Sequence, residues 1–350
     1  MAAHKTTIKD IANKAGVSVA LVSFVMNNKI GRKYRVNAET AKKILAVAEE
    51  LNYQPNSAAR SLRSGRSCTI GVIVSDISNP FFADIARRIE DNAYKYNYTV
   101  IFGSSDEDAS KLDNLIDVMI NKGVDGLVIV PCDGSEQAIR KIVTAGVPLV
   151  LLDRTIPDLE VSSVVLNNKK ATLLATDSLI ARGYRRIEMI SYLMSLSNIT
   201  DREFGYQVGM KVHGMGDYAH IHRVRFKDIP GQMTKVLSEG LARGVEAFIF
   251  VTNTLAVEGL KALNRLKVLV PKDVAVVGFD DSEAFELYYT TLTHIRQPIE
   301  QFGHEAVELI VKAINQKDQS QCTTIVLNPE LVEGASSVRH VEGVESVSDK

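Results

Sequence analysis

Residues 16–28 read GVSVALVSFVMNN. A glycine opens the stretch, Ser18 stands where a helix can begin, and apolar residues then recur at helical spacing. The residues before it, IKDIANKAG, carry the same period. Two short helices joined by a glycine-containing turn have helix-turn-helix spacing. Helices are predicted over 8–15, 18–26 and 38–51, with Ser18 capping the second and Asn37 the third. Ile8, Ile11, Ala12, Val17, Val22 and Val25 are expected to share one small core, and Gly16 to relieve the turn of a Cβ clash. The other side of the second helix is then free to enter a DNA major groove. Val19, Ala20, Leu21 and Phe24 lie near its leading end, although Phe24 equally suits the core.

Charge supports that direction. Residues 1–66 hold 12 Lys and Arg against 4 Asp and Glu, a formal +8, whereas the other residues hold 29 against 38, a formal −9. A basic end on an acidic body points to a polyanionic partner for the end alone. Lys5, Lys9, Lys29, Arg32, Lys33 and Arg35 are the candidate phosphate contacts. A generic three-helix bundle with a solvated basic face is the competing reading.

From Thr69 the pattern changes. Apolar strand candidates at 69–75, 98–105, 125–131, 148–153, 186–191, 222–226, 247–252, 274–280 and 323–329 alternate with helices near 81–96, 107–122, 135–145, 168–182, 199–213, 230–243, 254–266 and 298–315. Such alternation means parallel sheets covered on both faces. The strands are too many for one sheet, and the series restarts near Val161. The expectation is two α/β lobes with a cleft at the carboxyl ends of their strands. Residues 1–55 form the headpiece, 56–67 a linker, and 68–337 the body. The first lobe takes about 68–160 plus 295–322, the second about 161–294 plus 323–337. A disordered tail is expected over 338–350.

No apolar run approaches the ~20 residues of a membrane span, and no signal-peptide pattern opens the chain. Cys68, Cys132 and Cys322 are far apart and form no CxxC pair. They read as reduced, mostly buried thiols in a cytoplasm. No metal or cofactor is expected.

These residues carry a resemblance. TIKDIANKAGVSVALVSFVMNN, YQPNSAARSLRSGRSCTIGVIVSDISNPFF, VDGLVIVP, PLVLLDR, DREFGY, LAVEGLKAL, VPKDVAVVGFDDSE and TTLTHIRQP together resemble LacI/GalR-family transcription regulators, from residue 6 to about 337. The resemblance implies an all-α headpiece with a hinge helix, joined to an α/β two-lobed body like periplasmic binding proteins. It implies an allosteric, homodimeric repressor of palindromic double-stranded DNA in the bacterial cytoplasm, on the nucleoid when bound. Ser18, Val19, Ala20 and Ser23 would belong to the reading helix. The hinge would run over 56–63, with Leu62 wedged between base steps and Ala59 and Arg60 beside it. Thr7, Asn27, Tyr53, Asn56 and Arg63 would complete the DNA interface.

In the body the resemblance implies a small-molecule effector, a sugar or sugar derivative. Phe81, Phe82, Asp153, Asn198, Arg202, Phe226, Thr252, Asn253 and Asp280 would line its cleft. Each has a plainer reading: Phe82 as core, Asp153 and Asp280 as strand-end caps, Arg202 as a surface ion pair. Departures from the family pattern matter as well. Leu21 replaces a usual threonine and Phe24 a usual polar residue, so readout should lean on thymine methyls and DNA shape. Thr252-Asn253 stands where Asn-Asp is common, and Gly334 where an arginine is. The tail lacks a leucine heptad, which favours a dimer.

Other classes fit less well. No GxSxG, P-loop or HExxH motif occurs, and HGMGDY (213–218) is a weak dinucleotide signal, so an enzyme is not expected. His220 and His222 share one strand face as a metal pair would, but read as partnerless surface histidines. A global catabolite-type regulator with a protein co-effector and a transport-type sugar-binding protein are the alternatives.

Overall fold

Three helices arise where the amino-terminal pattern places them: α1 (Ile8–Ala15), α2 (Val19–Met26) and α3 (Ala38–Glu50). The computed structural model describes residues 6–26, 36–53, 65–316 and 322–339. By contact density the chain divides into two units, Met1–Ser67 and Cys68–Lys350.

In the first unit, the Thr7 backbone N–H and hydroxyl both donate to the Asp10 carboxylate, at 2.8 and 2.7 Å, fastening the first turn of α1. Gly16 ends that helix at φ +66°, the left-handed region that costs glycine least. Ser18 Oγ accepts from Leu21 N at 3.2 Å, and Asn37 Oδ1 from Glu39 N at 3.1 Å, so both expected caps form. Ile11, Ala12, Ala15, Val22, Val25, Ile44 and Ala48 form the core, with Ile8 and Val17 packed against it. Leu21 and Tyr53 also pack against this core. Both are half-buried. Of the other residues expected at DNA, Asn27, Lys29, Arg32, Lys33, Arg35, Asn56, Ala59, Arg60, Leu62 and Arg63 lie outside the described residues.

The second unit holds two six-stranded sheets. The first contains β1 (Thr69–Val74), β2 (Thr99–Ser104), β3 (Gly126–Ile129), β4 (Leu149–Leu152), β5 (Ser162–Leu166) and, late in the chain, β11 (Thr324–Leu327), ordered 2-1-3-4-5-11 and all parallel. The second contains β6 (Ile187–Tyr192), β7 (His220–Val224), β8 (Ala247–Phe250), β9 (Ala275–Phe279), β10 (Thr293–Arg296) and β12 (Glu330–Val332), ordered 7-6-8-9-10-12. Only β12 runs antiparallel. Helices α4 (Pro80–Lys95), α5 (Ala109–Asn121), α6 (Glu136–Thr144) and α12 (Ile299–Asn315) accompany the first sheet; α7 (Asn168–Ala181), α8 (Ser197–Val212), α9 (Ile229–Ala242), α10 (Asn253–Arg265) and the short α11 (Glu283–Leu287) accompany the second.

This topology shifts the expected lobe limits. Ser162–Leu166 and Thr324–Leu327 belong to the first sheet, and Thr293–Arg296 to the second. The chain therefore crosses between lobes near 167, 297 and 329. Strand β10 escapes a search for apolar runs because two of its buried residues, Thr293 and His294, are polar. They are satisfied by partners close by: Thr293 Oγ1 donates to Gly334 O at 2.8 Å, and His294 Nε2 meets Asp281 Oδ1 at 2.7 Å. A Cβ at Gly334 would come within 2.6 Å of Leu292 C and Thr291 O, so backbone occupies the space a side chain would need.

The carboxyl end is more ordered than expected up to Arg339. Ser336 Oγ donates to Val276 O at 2.7 Å, and Arg339 pairs with Glu246 at 3.1 Å and lies over the Tyr184 ring. The cysteine expectation also needs correction, since only Cys132 is buried while Cys68 and Cys322 are exposed.

His222 is not partnerless. Its Nε2 lies 2.6 Å from Glu188 Oε2, and Arg243 clamps the same carboxylate at 2.8 Å. Burial tends to raise the Glu188 pKa, but the hydrogen bonds from His222 and Arg243 outweigh it and hold the pKa down. A depressed carboxylate contributes stability that is present above its unfolded pKa and is lost as pH falls through the folded value. Glu188→Gln should thus cost about 1–2 kcal/mol near pH 7, since Arg243 is half-exposed and screened. Thermal melts against pH would check this: the gap to wild type should close on acidification. No group of three or more His, Cys, Asp or Glu among the described residues is placed to hold a metal.

Candidate functional site

Two surfaces bear on function, one in each unit. In the first, Ser18, Val19 and Ala20 at the start of α2 are exposed, while Ser23 and Phe24 one turn on are half-buried. Thr7, which opens α1, is exposed. Val22 and Val25 face the core, so the leading end of α2 projects small and apolar groups outward. Neither Val19 nor Ala20 has a side-chain hydrogen-bonding group.

In the second unit, a cavity lined by residues of both lobes lies between them. Eight of the nine residues expected at the effector cleft line it: Phe81, Phe82, Asp153, Asn198, Arg202, Phe226, Thr252 and Asp280. The ninth, Asn253, stands just behind. It is buried, and its Nδ2 donates to Asn79 Oδ1 at 3.0 Å across the lobes. Phe82 is both core and wall.

The fold explains the convergence, because ligands in open α/β sheets sit beyond the carboxyl ends of the strands. Asp153 follows β4 and Asp280 follows β9. Both adopt left-handed backbone, φ +64° and +66°, and both are buried. Asp153 Oδ2 accepts from Asn198 Nδ2 of the other lobe at 2.8 Å. Asp280 accepts from Gln297 Nε2 at 2.6 Å and from Asn253 N at 3.2 Å. Burial pushes the pKa of each aspartate up, partly offset by Arg154 and Arg202 for Asp153 and by Arg202 for Asp280.

Arg202 is buried, which overturns its reading as a surface ion pair. Its Nε donates to Asn168 Oδ1 at 2.8 Å and one terminal nitrogen to Val251 O at 2.6 Å. The guanidinium lies 3.7 Å from the centroid of the Phe279 ring. Desolvation lowers the Arg202 pKa, and the nearby Asp280 and Asp153 act against that. Tyr192 and Phe226 meet edge to face at 5.6 Å on the opposite wall, and burial raises the Tyr192 pKa to about 12.

Among the lining residues that sequence reasoning missed, four bear directly on chemistry: Glu107, Arg154, Tyr192 and Gln297. The strand-end rule would have found Glu107, Arg154 and Tyr192, which lie at or just after the ends of β2, β4 and β6, whereas Gln297 follows β10, a strand the apolar pattern does not reveal. Arg154 and Glu107 form a buried two-point ion pair at 2.6 and 2.9 Å. Several buried polar atoms of the cavity have no hydrogen-bond partner among the described residues, namely Ser75 Oγ, Asp153 Oδ1, Arg154 Nε and Gln297 Oε1.

A model of bacterial regulatory proteins of the lacI family matches residues 7–56, and a periplasmic binding protein-like domain matches residues 176–337. The HTH-type transcriptional regulator RegA of Clostridium saccharobutylicum is 32% identical over 337 residues, covering 95% of this chain and 99% of that protein. The chain belongs to the lacI family. Among solved structures of similar fold, a lac repressor dimer bound to operator and the anti-inducer ONPF has a TM-score of 0.83 at 24% identity, covering 96% of this chain and 100% of that one. A complex of the transcriptional regulator CelR with cellobiose has a TM-score of 0.69 at 25% identity, covering 95% and 100%. This LacI-family chain is a DNA-binding transcriptional regulator, with a helix-turn-helix headpiece and a two-lobed α/β body. No described helix is long and apolar enough to cross a membrane.

Proposed function

We propose that this LacI-family protein is a cytoplasmic homodimeric repressor, without enzymatic activity, whose grip on a palindromic operator is set by a sugar or sugar derivative held between its lobes. The exposed residues Ser18, Val19 and Ala20 read thymine methyls and groove shape. Residues 56–63 act as the paired hinge, and the basic residues between 29 and 35 contact phosphates. The observation that carries the effector reading is the cleft itself. Aromatic walls, Phe82 on one side and Tyr192 with Phe226 on the other, flank buried Asp153 Oδ1 and Gln297 Oε1, two acceptors awaiting a donor. Hydroxyl groups would supply such donors. The cellobiose complex of CelR is consistent with that ligand class.

Allostery follows from where the ligand sits. Three hydrogen bonds span the lobes beside the cavity: Asn198 to Asp153 at 2.8 Å, the Thr155 N–H to Ser197 Oγ at 2.9 Å, and Asn253 to Asn79 at 3.0 Å. A ligand engaging Asp153 competes with or reinforces this set, and so biases how the lobes meet. A coupling of ~1–3 kcal/mol changes operator affinity about 5- to 150-fold.

The test begins with a thermal-shift screen of the full chain against neutral mono- and disaccharides. A ligand at 100 times its Kd adds ~2.7 kcal/mol of stability. No stabilisation by any sugar would remove the effector reading. The affinity should also depend on pH with a defined sign. Hydroxyls donating to Asp153 and Asp280 favour their ionised forms and lower pKa values that burial had raised. Binding then releases protons, so affinity rises with pH and is lost as pH falls through the raised pKa values of the ligand-free cleft, above the ordinary carboxylate range. Calorimetric titrations at several pH values, in buffers of different ionisation enthalpy, measure both quantities.

A further inference from the structure

We infer that Asn253 is a positioning residue, whose bond to Asn79 is a latch that holds the two lobes together from behind the cavity and gates access to it. The inference goes beyond the proposed effector, since it holds whatever the cleft binds. It starts from a pattern that occurs twice. Asn198 and Asn253 stand at the amino ends of α8 and α10, both helices of the second lobe. Each turns Oδ1 onto the next backbone N–H, Ile199 N at 2.8 Å and Thr254 N at 2.6 Å. Each then sends Nδ2 across to the first lobe, to Asp153 Oδ2 at 2.8 Å and to Asn79 Oδ1 at 3.0 Å.

The two crossings differ in what a ligand can do to them. Asp153 lines the cavity and its Oδ1 is unpartnered among the described residues, so a ligand can enter that pair. Asn79 Oδ1 already accepts from Phe81 N at 3.1 Å, capping α4, as well as from Asn253 Nδ2. An amide oxygen has two lone pairs, and these two donors engage both. Asn253 itself is only 3% exposed and lies off the cavity wall. Its backbone N–H donates to Asp280 Oδ2 at 3.2 Å, which ties it to the end of β9. The crossing at Asp153 is thus open to a ligand, and the crossing at Asn79 is closed to it. Geometry also fixes the residue type. Backbone N–H groups can only donate, so Thr254 N and Phe81 N orient the two amides, and position 253 must supply the donor that crosses.

A backbone amide elsewhere in the cleft reports opening: Thr155 N donates to Ser197 Oγ of the other lobe at 2.9 Å. The test follows hydrogen exchange at Thr155 in full-length, sugar-free protein, with central amides of β1 and β9 as the reference for global unfolding. Asn79→Ser keeps a capping oxygen for Phe81 N but is too short to reach Asn253, and should speed Thr155 exchange about 5-fold. Asn253→Leu, which keeps the volume and removes the donor, should do the same. The double variant should match either single one, because both act through one bond. Asn79→Asp keeps an acceptor for both donors and should stay within about threefold of wild type. Thr155 exchange at the wild-type rate in Asn79→Ser and Asn253→Leu overturns the latch. Equal acceleration of the reference amides also overturns it, since that is lost stability alone. Should Asn253→Leu not fold, Asn79→Ser against Asn79→Asp decides. A sugar found to bind should dissociate from Asn79→Ser about 5-fold faster, because release waits on opening. An unchanged dissociation rate overturns the gate. Failure of every sugar to bind removes the effector reading, and the exchange rates still decide the latch.

Discussion

Ala20→Glu is expected to abolish specific operator binding while leaving the protein folded. Ala20 is exposed in the first turn of α2, and the caps around it, Ser18 and Gly16, are untouched by the change. A carboxylate at a helix N-terminus is mildly favourable, by ~0.3–1 kcal/mol, so no loss of headpiece stability is anticipated. At the DNA, the same group replaces a small apolar contact with charge facing phosphates. Each half-site should lose ~1–3 kcal/mol, as for a lost base contact. A two-fold dimer carries the change twice, so the total is on the order of 2–6 kcal/mol, about 30-fold at the least. Fluorescence anisotropy with a selected operator measures it. Binding within threefold of wild type would place the reading face elsewhere.

Arg202→Met should produce the opposite phenotype. The substitution keeps much of the buried volume against Phe279 but strands Asn168 Oδ1 and Val251 O, and removes the cation beside Asp153 and Asp280. Losing one partner of a buried charged cluster costs ~3–5 kcal/mol, which in a body of this size lowers the melting temperature on the order of 10 °C. The headpiece is a separate unit with its own core, so operator binding should survive at 25 °C. Sugar-dependent modulation of that binding should disappear. An Arg202→Met protein that responds to sugar at the wild-type concentration would show that Arg202 only packs.

How far the sequence could be read follows from particular residues. Strands such as Thr69–Val74 and Ala275–Phe279 are continuous apolar runs covered on both faces, and they stand out in any scan. Ser162–Leu166 begins with two serines, and Thr293–Arg296 places a buried threonine and histidine in the sheet, so apolarity alone passes over both. The lobe boundary moved with them. In the cleft, the resemblance named Asp153 and Asp280, but the Glu107–Arg154 pair needed the fold, because its partners are 47 residues apart. In the headpiece, amphipathic spacing located the core, yet α2 is apolar nearly all round. Which of its apolar residues face inward, Leu21 partly and Val19 not, is settled by packing against α1 and α3.

The central claim is that occupancy between the lobes and grip on DNA are thermodynamically linked. It is tested most directly by titrating the full-length protein onto a genomically selected inverted-repeat operator, at fixed salt, with and without a saturating sugar that stabilises it. The account expects operator affinity to change by about 5- to 150-fold, and the sugar's affinity to change by the same factor when operator is present. Identical operator affinity with the cleft full and empty would contradict it.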